Sequence, residues 1–273
     1  RRPGMYIGGI DERAYHHLAA EIIDNSMDEA VAGYASVITV ELLADGKISV
    51  SDNGRGIPVD PHPKYPDKSA LEVITTMLHS GGKFGGKAYA VSGGLHGVGL
   101  SVVNALSSEM TIDVARDKKL WQQSYCRGVP LAPVECIGNV SNRRGTTVTF
   151  LPDTEIFGES THFKPATIYK MIKTKAFLFR GVELRWICAP ELILEGDTTP
   201  KEAVLKYPNG IEDYLKSLTE KTSLLMPRYF AGRAELAEGK GHVEWAMVWP
   251  DFAPDAFQYS YCNTIPTPQG GTH

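Results

Sequence analysis

Apolar residues recur with a helical period in one long segment near the start of the chain. At 100° per residue, one arc of residues 15–32 carries Ala19, Ile22, Ile23, Met27, Ala30 and Val31. The opposite side carries four polar residues spaced four apart, His17, Glu21, Asn25 and Glu29. The pattern predicts an amphipathic helix over 15–32, closed by Gly33, with the apolar arc against a core.

Alternation with a period of two predicts strands beyond this helix. Residues 37–43 and 48–51 flank Asp45-Gly46, which is typical of a tight hairpin turn. Ser69 and Glu72 form a capping box that predicts a helix running to about residue 79. Further strands are predicted at 110–115, 120–125, 146–150, 183–187, 242–249 and 257–262, and further helices at 101–106, 165–179 and 211–218.

Glycine and proline divide the chain. Residues 80–99 hold eight glycines in twenty positions, against 27 in 273 for the whole chain, which predicts a mobile loop. The polar segment 198–209, with Pro200 and Pro208, indicates a domain boundary, which we place after residue 203. The length also favours two domains over one.

Composition narrows the class of protein. Apolar residues make up 42% and charged residues 22%, as in a globular chain with a sizeable core. The net charge of −4 gives no global basic field, so DNA phosphates are not expected to be held chiefly here. The four cysteines form no C-x-x-C pair and no apolar run could span a membrane, which predicts a cytoplasmic protein with free thiols. The chain begins without methionine and stops at a Gly-Gly pair, so we expect a piece of a longer protein.

Candidate chemistry begins on the first helix. Glu21 and Asn25, one turn apart, suit a water molecule and a divalent cation, because a carboxylate accepts a proton and an amide oxygen ligates without adding charge. The alternative is an ordinary solvated polar face.

Two glycine-containing turns extend this chemistry. Asp52, at the end of a predicted strand, could accept a hydrogen bond from an adenine amino group, while Gly54 and Gly56 let the backbone approach the base. Residues 92–99 expose backbone N–H groups before a helix and would accommodate phosphates. The alternatives are an Asx-rich turn and a flexible linker.

In this order along one chain, these blocks closely resemble the GHKL ATPase superfamily. Within it the sequence is most similar to the B subunits of bacterial type IIA topoisomerases. The resemblance covers essentially the whole chain and is carried by RPGMYIG at 2–8, EIIDNSMDEAVAG at 21–33, DNGRGIP at 52–58, LHSGGKF at 78–84, SGGLHGVG at 92–99, SVVNAL at 101–106 and the terminal GGTH. Segments 83–89 and 263–270, with Ala90 and Gln122, favour the topoisomerase IV branch over the gyrase branch.

The resemblance implies an α+β fold, a Bergerat-type sandwich over residues 1–203 with helices on one face of a mixed sheet. Residues 204–273 would begin a transducer domain of the ribosomal S5 domain 2 type. It implies ATP and Mg²⁺ as ligands, Glu21 as general base oriented by His17, and Asn25 as the metal ligand. The residues implied to bind the nucleotide are Asn25, Glu29, Asp52, Arg55, Gly56, Ile57, Pro58, Lys83, Gly94, Leu95, His96, Gly97, Val98, Gly99, Leu100 and Thr146.

The resemblance further implies an ATP-driven dimer gate around a DNA segment. The partners would be a topoisomerase A subunit in an A2B2 heterotetramer, DNA, a second copy of the B subunit and adenine-site inhibitors. A family arm before Arg1 and a transducer lysine after His273 would complete the site. The alternatives are gyrase-type supercoiling, a histidine-kinase-type phosphotransferase, which a labelled-ATP assay would distinguish, and a nucleotide-regulated clamp without turnover.

Overall fold

The computed structural model describes residues 2–78, 98–236, 241–251, 257–262 and 265–267. Its helices are α1 Pro3–Tyr6, α2 Glu12–Val31, α3 Ala70–Thr76, α4 Gly99–Ala105, α5 Thr154–Phe157, α6 Pro165–Leu178 and α7 Ile211–Thr219. Its strands are β1 Val37–Leu42, β2 Ile48–Asp52, β3 Pro61–His62, β4 Tyr65–Ser69, β5 Ser107–Arg116, β6 Lys119–Cys126, β7 Val129–Pro130, β8 Glu135–Asn139, β9 Gly145–Pro152, β10 Glu183–Cys188, β11 Glu202–Leu205, β12 Phe230–Glu235, β13 His242–Met247, β14 Tyr261–Cys262 and β15 Ile265–Pro266. No described helix is long and apolar enough to cross a bilayer.

Contacts along the chain divide it into two compact units. The first comprises residues 1–172 and 183–205, and the second comprises 173–182 and 206–273. The second unit therefore takes the last turns of α6 in addition to the C-terminal segment.

A nine-stranded mixed sheet organises the first unit. Its order is β11-β10-β1-β2-β9-β5-β6-β7, and β8 also pairs with β6. Only the β1–β10 pairing is parallel among the described strands. The predicted hairpin is confirmed, because β1 and β2 pair antiparallel across the Asp45-Gly46 turn.

The two faces of this sheet differ in polarity. Alternate residues of β1 and β2 are buried beneath α2, namely Ile38, Val40, Leu42, Ile48 and Val50. The apolar arc of α2 covers them with Leu18, Ile22, Ile23 and Met27, all no more than 2% exposed. The other face carries hydroxyl and amide side chains, some paired across strands, as in Thr149 Oγ1 to Ser49 Oγ at 2.9 Å. Burial of one face sets the register, so a one-residue slip would expose the core.

Helix α2 begins three residues earlier than predicted. The Asp11 carboxylate accepts a hydrogen bond from the Ala14 N–H at 2.9 Å, which caps the first turn at Glu12. The predicted capping box is confirmed, because Ser69 Oγ accepts from the Glu72 N–H at 3.0 Å at the start of α3.

Several strand predictions need correction. The predicted strand at 257–262 is reduced to β14, and β3, β4, β7, β8, β11, β12 and β15 were not predicted. These strands are short or lie at sheet edges, where a two-residue period has little length in which to appear. The glycine-rich loop predicted at 80–99 lies outside the described residues except for Val98 and Gly99.

In the second unit, Phe177 stacks on Tyr214 of α7 with ring centroids 3.7 Å apart. Tyr207 and Tyr261 meet the same phenylalanine edge-on. Strands β12 and β13 pair antiparallel. The second unit therefore has an aromatic cluster of its own at residues 177, 207, 214 and 261.

Candidate nucleotide site

The polar side of α2 is only partly open to solvent. Glu21, Asn25 and Glu29 are each partly buried, although His17 is exposed. A fully solvated face would leave all four side chains open to water, so this partial burial favours a site for a cation and a water molecule, which stays a prediction. The structure brings this side of α2 against the first turn of α4 and against the turn after β2.

His17 and Glu21 form a pair on successive turns of α2. His17 Nε2 lies 3.2 Å from Glu21 Oε1, and this hydrogen bond raises the pKa of His17 above its usual value. The contact fixes one carboxylate oxygen and leaves the other free to face α4.

The other Glu21 oxygen lies against Gly99, the first residue of α4. A Cβ added at Gly99 would come within 2.3 Å of Glu21 Oε2. The first turn of α4 has no side-chain cap, since Val98 makes no such hydrogen bond. Glycine at position 99 therefore makes room for the carboxylate beside this turn, where Leu100 is buried.

Asn25 lies one turn beyond Glu21. Among the described residues, no hydrogen bond to its side-chain amide is found. Its amide oxygen is therefore available to a ligand within the described part of the site. Amide oxygens are suitable ligands for hard divalent cations.

Asp52 ends β2 with its side chain on the helix-covered side of the sheet. Its Oδ2 accepts from Ser26 Oγ at 3.2 Å, and its Oδ1 accepts from the Gly54 N–H at 2.8 Å and the Thr146 N–H at 3.4 Å. Burial raises the pKa of the Asp52 carboxyl, and these three hydrogen bonds oppose that rise. The result is a fixed, partly buried acceptor.

Thr146 also holds the glycine turn. Its Oγ1 accepts from the Ile57 N–H at 3.2 Å. Gly56, with φ +75°, packs so closely that a Cβ would meet the Ala115 carbonyl oxygen at 3.1 Å. Pro58 is exposed beside this turn. The predicted residues Asp52, Gly56, Ile57 and Thr146 therefore form one connected group.

Glu29 and Arg55 bind each other. Glu29 Oε1 accepts from an Arg55 terminal nitrogen at 2.7 Å, and Oε2 accepts from Arg55 Nε at 3.1 Å. The guanidinium also lies over the Tyr34 ring, 3.7 Å from its centroid. Arg55 is therefore held flat at the edge of the Asp52 turn.

Sequence reasoning missed three residues that build this site. They are Ser26, Tyr34 and Arg144. Ser26 had a usable signal, because it is a polar residue beside the apolar arc of α2. The other two had none, because their role depends on contacts between distant segments. Lys83, Gly94, Leu95, His96 and Gly97 lie outside the described residues.

A mixed sheet with a carboxylate-bearing helix over one face, and an acceptor at a strand end beneath it, defines a nucleotide-binding domain of the GHKL type. The chain belongs to the histidine kinase-, DNA gyrase B- and HSP90-like ATPase family, whose model matches residues 10–156, more than half of the chain. The model of DNA gyrase B matches residues 210–273. The predicted fold class and superfamily are confirmed.

Comparisons over the whole of this chain refine this assignment. The chain is 57% identical to the B subunit of DNA topoisomerase 4 from Caulobacter vibrioides, over 100% of this chain and 39% of that protein. It is 52% identical to the corresponding protein of Rickettsia conorii, over 100% of this chain and 41% of that protein. The B subunit of DNA gyrase from Chlamydia pneumoniae is 42% identical over 100% of this chain and 34% of that protein. The predicted preference for the topoisomerase IV branch agrees with these identities.

The chain is also similar to solved structures, of which we describe one. It is the crystal structure of the 43K ATPase domain of Thermus thermophilus gyrase B in complex with an aminocoumarin, with a TM-score of 0.80 and 38% identity, over 97% of this chain and 65% of that one. The chain spans about two fifths of the length of the Caulobacter vibrioides and Rickettsia conorii relatives.

Proposed function

We propose that this chain is the ATP-binding and ATP-hydrolysing region of a type IIA topoisomerase, in the B subunit of the topoisomerase IV kind. The observation that carries the proposal is the Glu21 carboxylate, with one oxygen on His17 and the other against the first turn of α4. Residues 1–203 would form the nucleotide-binding domain and 204–273 the first part of the transducer domain. In the whole enzyme, ATP would drive decatenation and relaxation of DNA in the cytoplasm.

Adenine would be recognised at Asp52. A carboxylate accepts from the adenine amino group, whereas guanine presents a carbonyl oxygen at that place and would set two acceptors against each other. Gly56 and Thr146 line the same turn, and Arg55 and Pro58 would border the base. The hydrogen bonds from Ser26 and Gly54 hold the acceptor in place before the nucleotide arrives.

The triphosphate would lie beside the first turn of α4. Val98, Gly99 and Leu100, with Lys83 and the backbone of 94–97, would hold its phosphates. Asn25 would ligate Mg²⁺, and the described residues contain no cluster of three or more His, Cys, Asp or Glu side chains able to hold a metal. Phosphate oxygens and water are the usual remaining ligands of Mg²⁺ at nucleotide sites. When bound, the ion neutralises phosphate charge.

Hydrolysis would depend on Glu21. Its carboxylate accepts a proton from the attacking water, while His17 holds the carboxylate in orientation. Neither proton acceptance nor this orientation requires Glu21 to contribute to nucleotide affinity.

The proposed partners are an A subunit in an A2B2 assembly, DNA, a second copy of the B subunit and adenine-site inhibitors.

The test separates catalysis from binding with two substitutions on α2. Glu21→Gln keeps the shape but cannot take the proton, so it should bind a non-hydrolysable ATP analogue normally. In a chain extended to the length of its relatives, it should lose roughly 10²–10⁴-fold in turnover. Asn25→Ala should instead weaken binding of the Mg²⁺–nucleotide complex.

Glu41→Gln on β1 is the matched control, because it removes a carboxylate from the other face of the sheet. It should change neither binding nor turnover. Unchanged turnover in Glu21→Gln, or failure of the unaltered chain to bind the analogue, would overturn the proposal.

A further inference from the structure

The polar face of the sheet, opposite the proposed nucleotide site, carries a groove with an unusual charge. Two adjoining concavities share Asn53, Arg143 and Arg144. One continues across the hydroxyl-bearing strands past Thr39, Ser51 and Thr147. The other continues to Lys118 at the β5–β6 turn and to Asn142. We call this combined surface the outer groove.

Three cations of the outer groove have no carboxylate partner in the described ranges. Arg144 donates to two backbone carbonyls, from Nε to Asn53 at 3.0 Å and from a terminal nitrogen to Tyr34 at 3.2 Å. Arg143 and Lys118 are exposed, and no ion pair of either is found among the described residues. Asp117, a carboxylate beside the Lys118 end of the groove, faces Arg116 Nε at 3.4 Å.

The positive charge of the outer groove contrasts with the negative net charge of the chain. The chain as a whole carries −4, so its average surface repels a polyanion. The outer groove reverses the sign locally, because its three cations outnumber its two carboxylate residues, Asp52 and Asp117. The Asp52 carboxylate accepts hydrogen bonds from Ser26, Gly54 and Thr146, and Asp117 lies beside Arg116. Such a concentration attracts anions at short range, within a screening length of about 8–10 Å.

The lining chemistry favours nucleic acid over an acidic protein. Hydroxyl and amide groups dominate it, at Thr39, Ser51, Asn53, Asn142 and Thr147, and Val37 and Val140 are its apolar members. Protein interfaces have apolar or aromatic centres, whereas nucleic-acid interfaces are polar and basic. The groove crosses β1, β2 and β9 to the β5–β6 turn, which is about 15 Å at roughly 4.8 Å per strand. That length matches about four phosphates of one DNA strand at roughly 3.4 Å each along the axis.

We propose that the outer groove binds the phosphate backbone of duplex DNA through Lys118, Arg143 and Arg144. The inference rests on the proposed function, and it assigns a place on the nucleotide-binding unit where DNA is contacted. The contacts are to phosphate and are independent of base sequence.

One loop, residues 144–146, contacts both the outer groove and the proposed nucleotide site. Arg144 donates to the Asn53 carbonyl, and Asn53 follows Asp52 directly. Gly145 and Thr146 continue the same loop toward Asp52 from the other side. Arg144 is therefore a supporting residue as well as a cation, so the test leaves it unchanged.

The test measures binding of a labelled 20-base-pair duplex to the 273-residue chain at several salt concentrations. The variant Lys118→Gln with Arg143→Gln removes two phosphate contacts, so the slope of log K against log salt should fall by about 1.8. At 0.1 M salt this corresponds to roughly 60-fold weaker binding. The control, Lys64→Gln with Lys201→Gln, removes the same charge from exposed positions outside the groove and should leave the slope unchanged.

Binding of the ATP analogue to the same proteins separates this inference from the proposed function. ATP-analogue binding by all proteins, with DNA binding weakened only in the groove variant, supports the inference. The inference fails alone if the unaltered chain binds the analogue but not DNA, or if the groove variant keeps the DNA affinity and slope. A groove that binds polyglutamate in preference to DNA would also overturn it, in favour of an acidic protein. Loss of analogue binding by the unaltered chain counts against the proposed function.

Discussion

Gly99 and Glu21 lie so close that any side chain at position 99 would displace the carboxylate. A Cβ there would approach Glu21 Oε2 to 2.3 Å, but would stay 3.4 Å from Glu21 Cβ. The carboxylate end of a glutamate can rotate away from the clash, so the fold is retained. The orientation of the carboxylate, however, is changed. This contact joins α2 to α4 at the proposed point of chemistry.

Gly99→Ala should therefore lower ATP turnover without lowering stability. A misplacement of about 1 Å at a catalytic group can cost up to roughly 10²-fold. Alanine at the first position of a helix is no worse than glycine for the helix itself. Turnover is measured in a chain extended to the length of its relatives, and stability by urea unfolding.

Gly138→Ala provides the control for that substitution. A Cβ at Gly138 has no neighbour within 4 Å, so neither turnover nor stability should change. Normal turnover in Gly99→Ala would show that the carboxylate does not need its position against α4.

Asp52→Asn should weaken ATP binding by about tenfold to a hundredfold. The asparagine removes the charge and one acceptor, and an unsatisfied buried group costs on the order of 1–3 kcal/mol. Ser26→Ala removes only one of the three hydrogen bonds to Asp52, so the loss of ATP affinity in this variant should be smaller. Calorimetric titration with ATP and GTP checks both, and preference for ATP should decline only in Asp52→Asn. Equal ATP affinity in Asp52→Asn and the unaltered chain would refute the adenine assignment.

Gly145→Ala should destabilise the first unit. Gly145 has φ +117°, and a Cβ would come within 1.9 Å of the Asp52 carbonyl oxygen, which is backbone and cannot swing aside. The backbone conformation alone costs roughly 1–3 kcal/mol, and the clash adds to it. Gly33→Ala is the control, because its φ of +80° is similar in sign but a Cβ there meets nothing within 4 Å. Urea midpoints should fall further for Gly145→Ala than for Gly33→Ala, and equal midpoints would contradict the close approach.

Protonation of His16 should make the protein less stable in mild acid. Its Nε2 accepts from the Lys164 N–H at 2.9 Å and its Nδ1 lies 2.8 Å from the Glu12 carbonyl oxygen, so the neutral ring with a proton on Nδ1 satisfies both contacts. Burial lowers the pKa of His16; Glu12 opposes that shift, and Lys164 and His162 add to it. The unfolded chain therefore binds a proton first, and stability should fall as the pH drops below about 6.5 toward the lower pKa of the folded state.

The raised pKa of His17 acts in the opposite direction. Its contribution is present below about 6.5 and is lost as the pH rises through the folded pKa, and it is reduced because the side chain is 46% exposed. Urea midpoints are measured between about pH 5 and 8, and their decrease toward acid pH should be smaller in His16→Gln than in His62→Gln. His62→Gln is the control, because it alters a histidine of the β3–β4 hairpin. The same acid loss in both variants would exclude His16 as the cause.

The sequence alone determined the local elements and the class of protein. The period of α2 put Glu21 and Asn25 on one side, the Asp45-Gly46 pair fixed the hairpin, and Ser69 with Glu72 fixed the start of α3. These are relations between residues at most a few turns apart, so spacing is sufficient to predict them. The order of the longer blocks identified the family.

The tertiary structure decided which of these residues meet. Ser51 pairs with Thr147 between β2 and β9, and this register sets Thr146 opposite Asp52 across 94 residues of chain. The same assembly sets Arg55 on Glu29 and Gly99 against Glu21. Spacing along the chain does not encode such contacts, because they depend on which strands pair and on how a helix lies over the sheet.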